Sequence, residues 1–335
     1  MTSLARLKAS AARLAYSTAR LAMGATLGVA LVAGLTAVPV RAQAQTQAQT
    51  LAQTAVPAAV LRATPQATGT GPALWVVRDA DSTIYLFGTV HVLRPTTAWG
   101  SAKVDAAFDS ASDIYFEISN PDDQAAMMPL IQQYGISPQT PLSSLLTPDE
   151  FARLDVVARA AGLSAAQMDV MRPWLAGLSL SVAPLVKAGY DPTSGVELTL
   201  KQRAEAAGKP VHGFETIDKQ VQILATLPQD IQLEFLRSTL KEYDDATVEL
   251  DSMVDAWATG DVATLQRVAV DEMKAEAPHI YDALLAQRNI GFAGDIQGLL
   301  AGSGVQFVAV GAAHLSGPDS VQSVLEARGV PVERE

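Results

Sequence analysis

The chain contains no cysteine, and only four of its 335 residues are histidine. Without thiols it forms no disulfide, carries no lipid on an N-terminal cysteine, and must build any metal site from imidazoles and carboxylates. Its stability has to come from an ordinary hydrophobic core. Basic residues are also sparse. Twenty-four Lys and Arg stand against 35 Asp and Glu, giving a net charge of −11, and no stretch gathers positive charge into a patch. Phosphate backbones are held by clustered Lys and Arg, so nucleic acid is not an expected partner. The acidic balance favours solubility and, weakly, cationic ligands such as metal ions.

The first 44 residues have a different composition. They hold Arg6, Lys8, Arg13, Arg20 and Arg41 with no acidic residue, then a weakly polar run from Leu21 to Val40, then Ala42-Gln43-Ala44. A basic start, apolar middle and small-residue exit predict a secretory signal peptide over residues 1–44, and therefore a periplasmic or secreted protein with no stable membrane span after cleavage. The competing reading is an uncleaved anchor, since Leu21–Val40 is about long enough to span a bilayer. Losing five positive charges takes −11 to −16 in the mature chain. Residues 45–72 are rich in Gln, Ala, Thr and Pro and poor in aromatics and charge, which predicts a disordered linker. One domain is expected over 73–335.

That domain reads as α/β: a mixed β-sheet flanked by helices, with a large helical middle segment. Leu74–Arg78 and Thr83–Val90 across a polar turn predict a β-hairpin. Further strands are expected at Asp113–Ile118, Pro210–Phe214, Val305–Val310 and Val330–Glu333, the fifth of these six as a compact, buried run. Helices are expected at 102–110, from Thr147-Pro148-Asp149-Glu150 to Gly162, at 165–188 with Pro173 and Pro184 breaking or kinking it, at 194–207, 219–225, 229–259, 261–274, 280–288, 289–300 and 319–328.

Two of the four histidines sit three residues after a glycine at the end of a β-like run, in Gly88-Thr89-Val90-His91 and Gly311-Ala312-Ala313-His314. Loops leaving the carboxyl ends of strands build sites in α/β folds, and glycine lets the chain turn sharply there. Glu117 ends the third strand, where a buried carboxylate demands a partner. Together His91, Glu117 and His314 make a two-histidine, one-carboxylate set that suits Zn, Mn, Fe or Co and would activate a bound water. The same residues also read as locally hydrogen-bonded histidines and a solvated strand end. His212 and His279 lack the glycine context, and Trp174 and Trp257 read as core. No His-Glu-x-x-His, Gly-x-Ser-x-Gly or phosphate-binding glycine loop is present.

Gly88-Thr89-Val90-His91 resembles the opening motif of the TraB/GumN family, related to the Tiki metalloproteases and more distantly to erythromycin esterase and haem-binding ChaN-like proteins. Gly195-Val196-Glu197-Leu198, Lys209 to Thr216 with Gln220, Trp257 to Gly260-Asp261, Arg288-Asn289 and Val310 to Leu315 resemble further family segments in the same order, with Phe214 where leucine is usual. The resemblance implies a site of His91, Glu117, Arg288 and His314, with Glu215 supporting it from behind. It also implies, through the Tiki relatives, a metal-dependent hydrolase acting on a peptide with Mn or Co; Zn as the ion and a small molecule as the substrate stay open beside these. Under it Arg288 either stabilises an oxyanion or holds Glu117, while a structural ion pair for Arg288 and a cap or salt bridge for Glu215 stay open. So do two other functions: a binding protein for peptide, haem or metal, and a metal-independent esterase-like hydrolase with His91 as base. Asp191 is a further acidic residue near these segments without an assigned role.

Overall fold

The computed structural model describes residues 64–335; the expected signal peptide and most of the linker lie outside them. The end of the segment read as linker is placed against the domain, with Pro65 O accepting the Trp99 and Gly100 N–H groups at 3.0 and 2.9 Å. Six strands, β1 (Leu74–Arg78), β2 (Ser82–Thr89), β3 (Asp113–Ile118), β4 (Val211–Glu215), β5 (Gly304–Gly311) and β6 (Val332–Arg334), form one sheet in the order β4-β3-β5-β2-β1-β6. The four strands β4, β3, β5 and β2 run parallel; β1 is antiparallel to both β2 and β6. The expected mixed sheet is what forms.

Alternation along the strands builds two cores. Phe87 of β2 and Phe307 and Ala309 of β5 face a large cluster shared with the helical middle. Ile84, Leu86, Val308 and Val310 face the opposite way and pack on Phe292, Ala293 and Ile296, with Val321 and Leu325 beyond. The period of two along each strand assigns neighbouring residues to opposite sheet faces. The consequence is helices on both sides of a buried parallel sheet, the usual setting for near-continuous apolar strands such as Val305–Val310.

The helices are α1 (Ala102–Ser110), α2 (Gln124–Gly135), α3 (Pro148–Ala160), α4 (Pro173–Lys187), α5 (Val196–Ala206), α6 (Ile217–Ala225), α7 (Gln229–Glu242), α8 (Ala246–Thr259), α9 (Gln287–Leu300) and α10 (Val321–Ala327), with shorter turns between them. Thr147 and Glu150 form the capping box that starts α3. Several expectations need correction. Helix 165–188 breaks at Pro173 as expected, since that proline occupies the first turn of α4, where its missing N–H costs nothing; Pro184, by contrast, lies inside α4 without ending it. Segment 229–259 divides at Tyr243–Asp245 into α7 and α8. The break expected between residues 288 and 289 is absent: α9 runs through it and is preceded by a π-helical turn at Asp282–Ala286. Helix α2, which carries Pro129, was not anticipated. The last strand begins at Val332 rather than Val330. Among the described residues no helix is long and apolar enough to cross a membrane.

Candidate functional site

The parallel register brings the ends of four strands together. Ile118 lies opposite Glu215, Gly88 opposite Val310, and Thr89 opposite Gly311. This is the carboxyl edge of the parallel strands, where α/β sheets place their ligands. Glu117 comes from the end of β3, Glu215 from the end of β4, His91 from the turn after β2 and His314 from the 3₁₀ turn after β5. Arg288 reaches in from the first turn of α9. All five are enclosed: His91 is 2%, Glu117 1%, Glu215 7%, Arg288 5% and His314 0% exposed.

Four of them form one hydrogen-bonded cluster around the guanidinium. Arg288 Nη2 donates to Glu117 Oε2 and to Glu215 Oε2, the latter at 2.7 Å, and Nε donates to the Glu215 carboxylate at 3.1 and 3.2 Å. Gln220 Nε2 lies 3.1 Å from both Glu117 Oε2 and Glu215 Oε2 and joins the two acids. The other Glu117 oxygen accepts the Gly311 backbone N–H at 2.8 Å. Lys219, which is exposed, reaches Glu215 Oε1 at 3.3 Å from the solvent side. The π-turn before α9 contributes as well, since Leu284 O accepts from Arg288 Nη1 at 3.1 Å. π-Turns of this kind are frequent at functional sites.

The same network sets the tautomer of His314. Asn289 Nδ2 donates to Asp319 O at 2.7 Å, which turns Asn289 Oδ1 toward His314 Nδ1 at 2.6 Å. An amide oxygen accepts and a guanidinium donates, so His314 Nδ1 carries the proton and Nε2 receives Arg288 Nη1 at 3.1 Å. Burial and the neighbouring Arg288 push this imidazole down to about 4, so it is neutral at pH 7. Burial pushes the Glu117 carboxyl up, but Arg288, then His314 and His91, outweigh it and bring it to about 2. Glu215 is lowered in the same way, with Arg288 overcoming burial.

His91 stands apart. Its Nδ1 lies 2.5 Å from Glu197 Oε1, an oxygen that also accepts the Thr89 hydroxyl. Its Nε2 is buried and has no hydrogen-bond partner among the described residues. Burial lowers its proton affinity, yet the Glu197 charge and hydrogen bond more than reverse this, and the ring is held above its ordinary 6.5. Glu117 and Arg288 act on it electrostatically with opposite signs, so it belongs to the same centre without a direct bond to the cluster.

Glu197 was named in sequence only as part of Gly195-Val196-Glu197-Leu198. It is delivered by docking of α5 against the exit of β2, where Val196 N–H donates to Val90 O at 3.0 Å. The approach is close: a Cβ on Gly195 would lie 2.4 Å from His91 O, a backbone atom that cannot swing aside. Gly195→Ala is therefore expected to cost about 1–3 kcal/mol and to loosen the His91–Glu197 pair. Chemical denaturation, with the His91 imidazole resonances read by NMR, checks both, and unchanged stability would refute the close approach. Asp191 accepts the Thr193 N–H at 2.8 Å and caps the turn into this segment. His212 pairs with Asp113 at 3.0 Å and stacks on Tyr115, outside the centre. Trp174 and Trp257 are core, with Trp257 Nε1 donating to Gly88 O at 2.8 Å beneath the first motif.

Among the described residues no three His, Asp or Glu side chains surround a common cation position. Arg288 Nη1 donates to His314 Nε2, the nitrogen that an ion at His314 would need because Nδ1 faces Asn289, and His91 Nε2 is the one imidazole nitrogen of the pair left uncommitted.

Comparison with known proteins places this geometry in context. An uncharacterized protein of Treponema pallidum (strain Nichols) is 23% identical over 267 residues, covering 76% of this chain and 80% of its own length. The uncharacterized protein YbaP of Escherichia coli (strain K12) and that of Shigella flexneri are each 23% identical over 258 residues, covering 76% of this chain and 92% of theirs. No solved structure matches. The TraB/PrgY/gumN family model matches residues 73–334, nearly the whole domain from β1 to β6, and the chain belongs to that family.

Proposed function

We propose that this chain is a hydrolase whose proton-transfer group is His91. The observation that carries the reading is the pairing of one ring nitrogen with a buried carboxylate while the other is left open: Nδ1 on Glu197 and Nε2 without a partner. A base held in orientation by a third group is the recurring geometry of acid–base and nucleophilic hydrolases. In this reading Nε2 takes a proton from water as the water attacks an ester or amide carbonyl, and Glu197 stabilises the imidazolium that forms. Arg288 acts as a positioning residue. Its N–H groups are engaged by Glu215, Glu117, His314 and Leu284 O, so it holds Glu117 instead of serving as an oxyanion donor.

A base held above 6.5 makes turnover rise with pH above that value, as the ring loses its proton. The metal-dependent version, with Mn, Co or Zn at His91, Glu117 and His314, requires Arg288 to release His314 Nε2. Export, inferred from the basic and apolar N-terminus, would put the reaction in the periplasm or outside the cell; an intact Met1 in the purified product would count against it.

The deciding experiment measures hydrolysis of fluorogenic ester and peptide substrates with chelator and with added Mn, Co or Zn. Turnover that resists chelator and falls by at least ~10²-fold in His91→Ala is expected. Full activity in His91→Ala would refute the role of His91. Activity that depends on an added ion would transfer the reading to the metal-dependent version, and no turnover under any condition would favour a binding protein.

A further inference from the structure

The two edges of the sheet are finished differently. At one end, β6 is three residues long and carries exposed Glu333 and Arg334. Short, charged edges resist pairing with other chains. At the other end, β4 reads Val211-His212-Gly213-Phe214-Glu215, with no Lys, Arg or proline inside it and Pro210 just before it. The register fixes which of its backbone groups are used. Ile114 lies opposite Val211, and its N–H donates to Pro210 O at 3.0 Å. In such a parallel ladder the N–H and C=O groups of His212 and Phe214 turn toward β3, and those of Val211 and Gly213 turn outward. Among the described residues no other element bonds to these outward groups. Gly213 is exposed, and a Cβ there would lie 2.6 Å from Ser119 N, which requires glycine.

A partly open row of rings lies beside this edge. Tyr115 stacks on His212 with centroids 4.6 Å apart and on Phe214 at 5.6 Å. Helix α9 covers this sheet face only as far as Phe292, whose ring lies 5.5 Å from Phe214. The His212 side chain is 43% exposed, and Tyr115 and Phe214 are half-buried. The charge around the row is acidic. Asp113 pairs with His212, and Asp295 stands exposed on α9 one turn beyond Phe292. Partial burial raises the Asp295 carboxyl above its ordinary value; Lys219 works against this and Glu215 adds to it. The neighbouring lysines are committed: Lys219 to Glu215 at 3.3 Å, Lys201 to Asp122 at 2.7 Å, and Lys209 Nζ to Phe108 O, Asp109 O and Ala111 O.

We infer that β4 accepts an extended basic segment of a partner protein as a seventh strand of the sheet. Main-chain bonds to Val211 and Gly213 would hold it, while alternate Lys or Arg side chains cross the open rings toward Asp113 and Asp295. Strand addition draws affinity from backbone pairing and specificity from every second side chain, and a cation over Tyr or Phe adds to the attraction. Charge selects this occupant over a second copy of the chain, which would bring −11 against −11. The surface is separate from the His91 centre and stands whether or not that centre hydrolyses anything.

Fluorescence anisotropy on the whole chain tests it, with labelled acetyl-Val-Lys-Val-Lys-Val-Lys-amide as the probe. A Kd of about 1 mM or tighter is expected. The same peptide with Glu for Lys should bind at least ~5-fold more weakly. Two further probes carry N-methyl groups on all valines or on all lysines. The set whose N–H groups face β4 should lose at least ~5-fold and the other set much less. Val211→Pro, which removes an outward N–H and no ladder bond, should lose a similar factor. Amide hydrogen exchange at Val211 and Gly213 should slow when the probe binds. The peptide comparisons on the unaltered protein stand even if Val211→Pro fails to fold. Equal binding of the acidic peptide, unchanged binding of both methylated probes, or no binding up to ~10 mM overturns the inference. So does a dimer in sedimentation that Val211→Pro dissociates, since the edge would then belong to a second copy.

Discussion

Arg288→Met is expected to lower the stability of the fold by about 3–5 kcal/mol, the range for removing one partner from a buried ion pair. The guanidinium is the charge that makes two enclosed carboxylates tolerable. Without it, Glu117 and Glu215 share Gln220 Nε2 but lose the guanidinium that bridges them, and His314 Nε2 loses its donor. Lys219 still reaches Glu215, but from an exposed position where screening makes such a pair worth little. Either the acids stay charged and repel, or they take up protons that their environment now favours; both cost folding energy. Urea denaturation at pH 7 measures the loss. The combined variant Arg288→Met, Glu117→Gln, Glu215→Gln removes the charges along with their counterion and is expected to recover at least half of it. A loss under about 1 kcal/mol, the size expected of an exposed pair, or no recovery in the combined variant, would mean that the guanidinium does not bear this charge.

Which parts of this centre were legible in the sequence follows from how each residue is placed. His91, Glu117 and His314 announce themselves because glycines and strand ends are local signals, and β2, β3 and β5 form where their apolar runs stand. Arg288 and Glu215 carried no local signal. A helical arginine and a strand-end glutamate far apart in sequence meet only because α9 packs on the sheet face opposite the helical middle, and family resemblance alone pointed to them. Glu197 was missed as a partner for His91 because the pair depends on a backbone contact, Val196 N–H to Val90 O, and on the absence of a Cβ at Gly195. Gln220 and Asn289 were visible as residues, but their roles come from orientations that only the network dictates. The helix errors have a similar origin. No glycine or proline marks the break at Tyr243–Asp245, and Pro129 inside α2 argues locally against a helix that forms regardless. In both places tertiary packing overrode the local preference.

The buried histidines also shape the response to acid, in windows that separate their contributions. His314 is held at about 4, while the unfolded chain would protonate it at its ordinary 6.5. As pH falls through that interval the unfolded state gains a proton that the folded state refuses, so stability is expected to drop by about 3 kcal/mol between pH 6.5 and 4. Glu117, held at about 2, contributes fully above its ordinary 4.5, and that contribution is lost only as pH falls from there toward 2. His91 has the opposite sign: held above 6.5, it contributes fully below 6.5 and loses its contribution as pH rises through its folded value. The stretch from pH 6.5 to about 5, above the ordinary carboxylate range, therefore reports His314 with little interference from the acids. Urea midpoints taken across it should decline in the parent chain and stay nearly level in His314→Gln, whose amide needs no proton. A level profile in the parent, or an unchanged slope in the variant, would show that His314 takes up a proton in the folded state. Arg288 Nη1 would then have no acceptor at His314 Nε2, and the neutral tautomer assigned through Asn289 would be wrong.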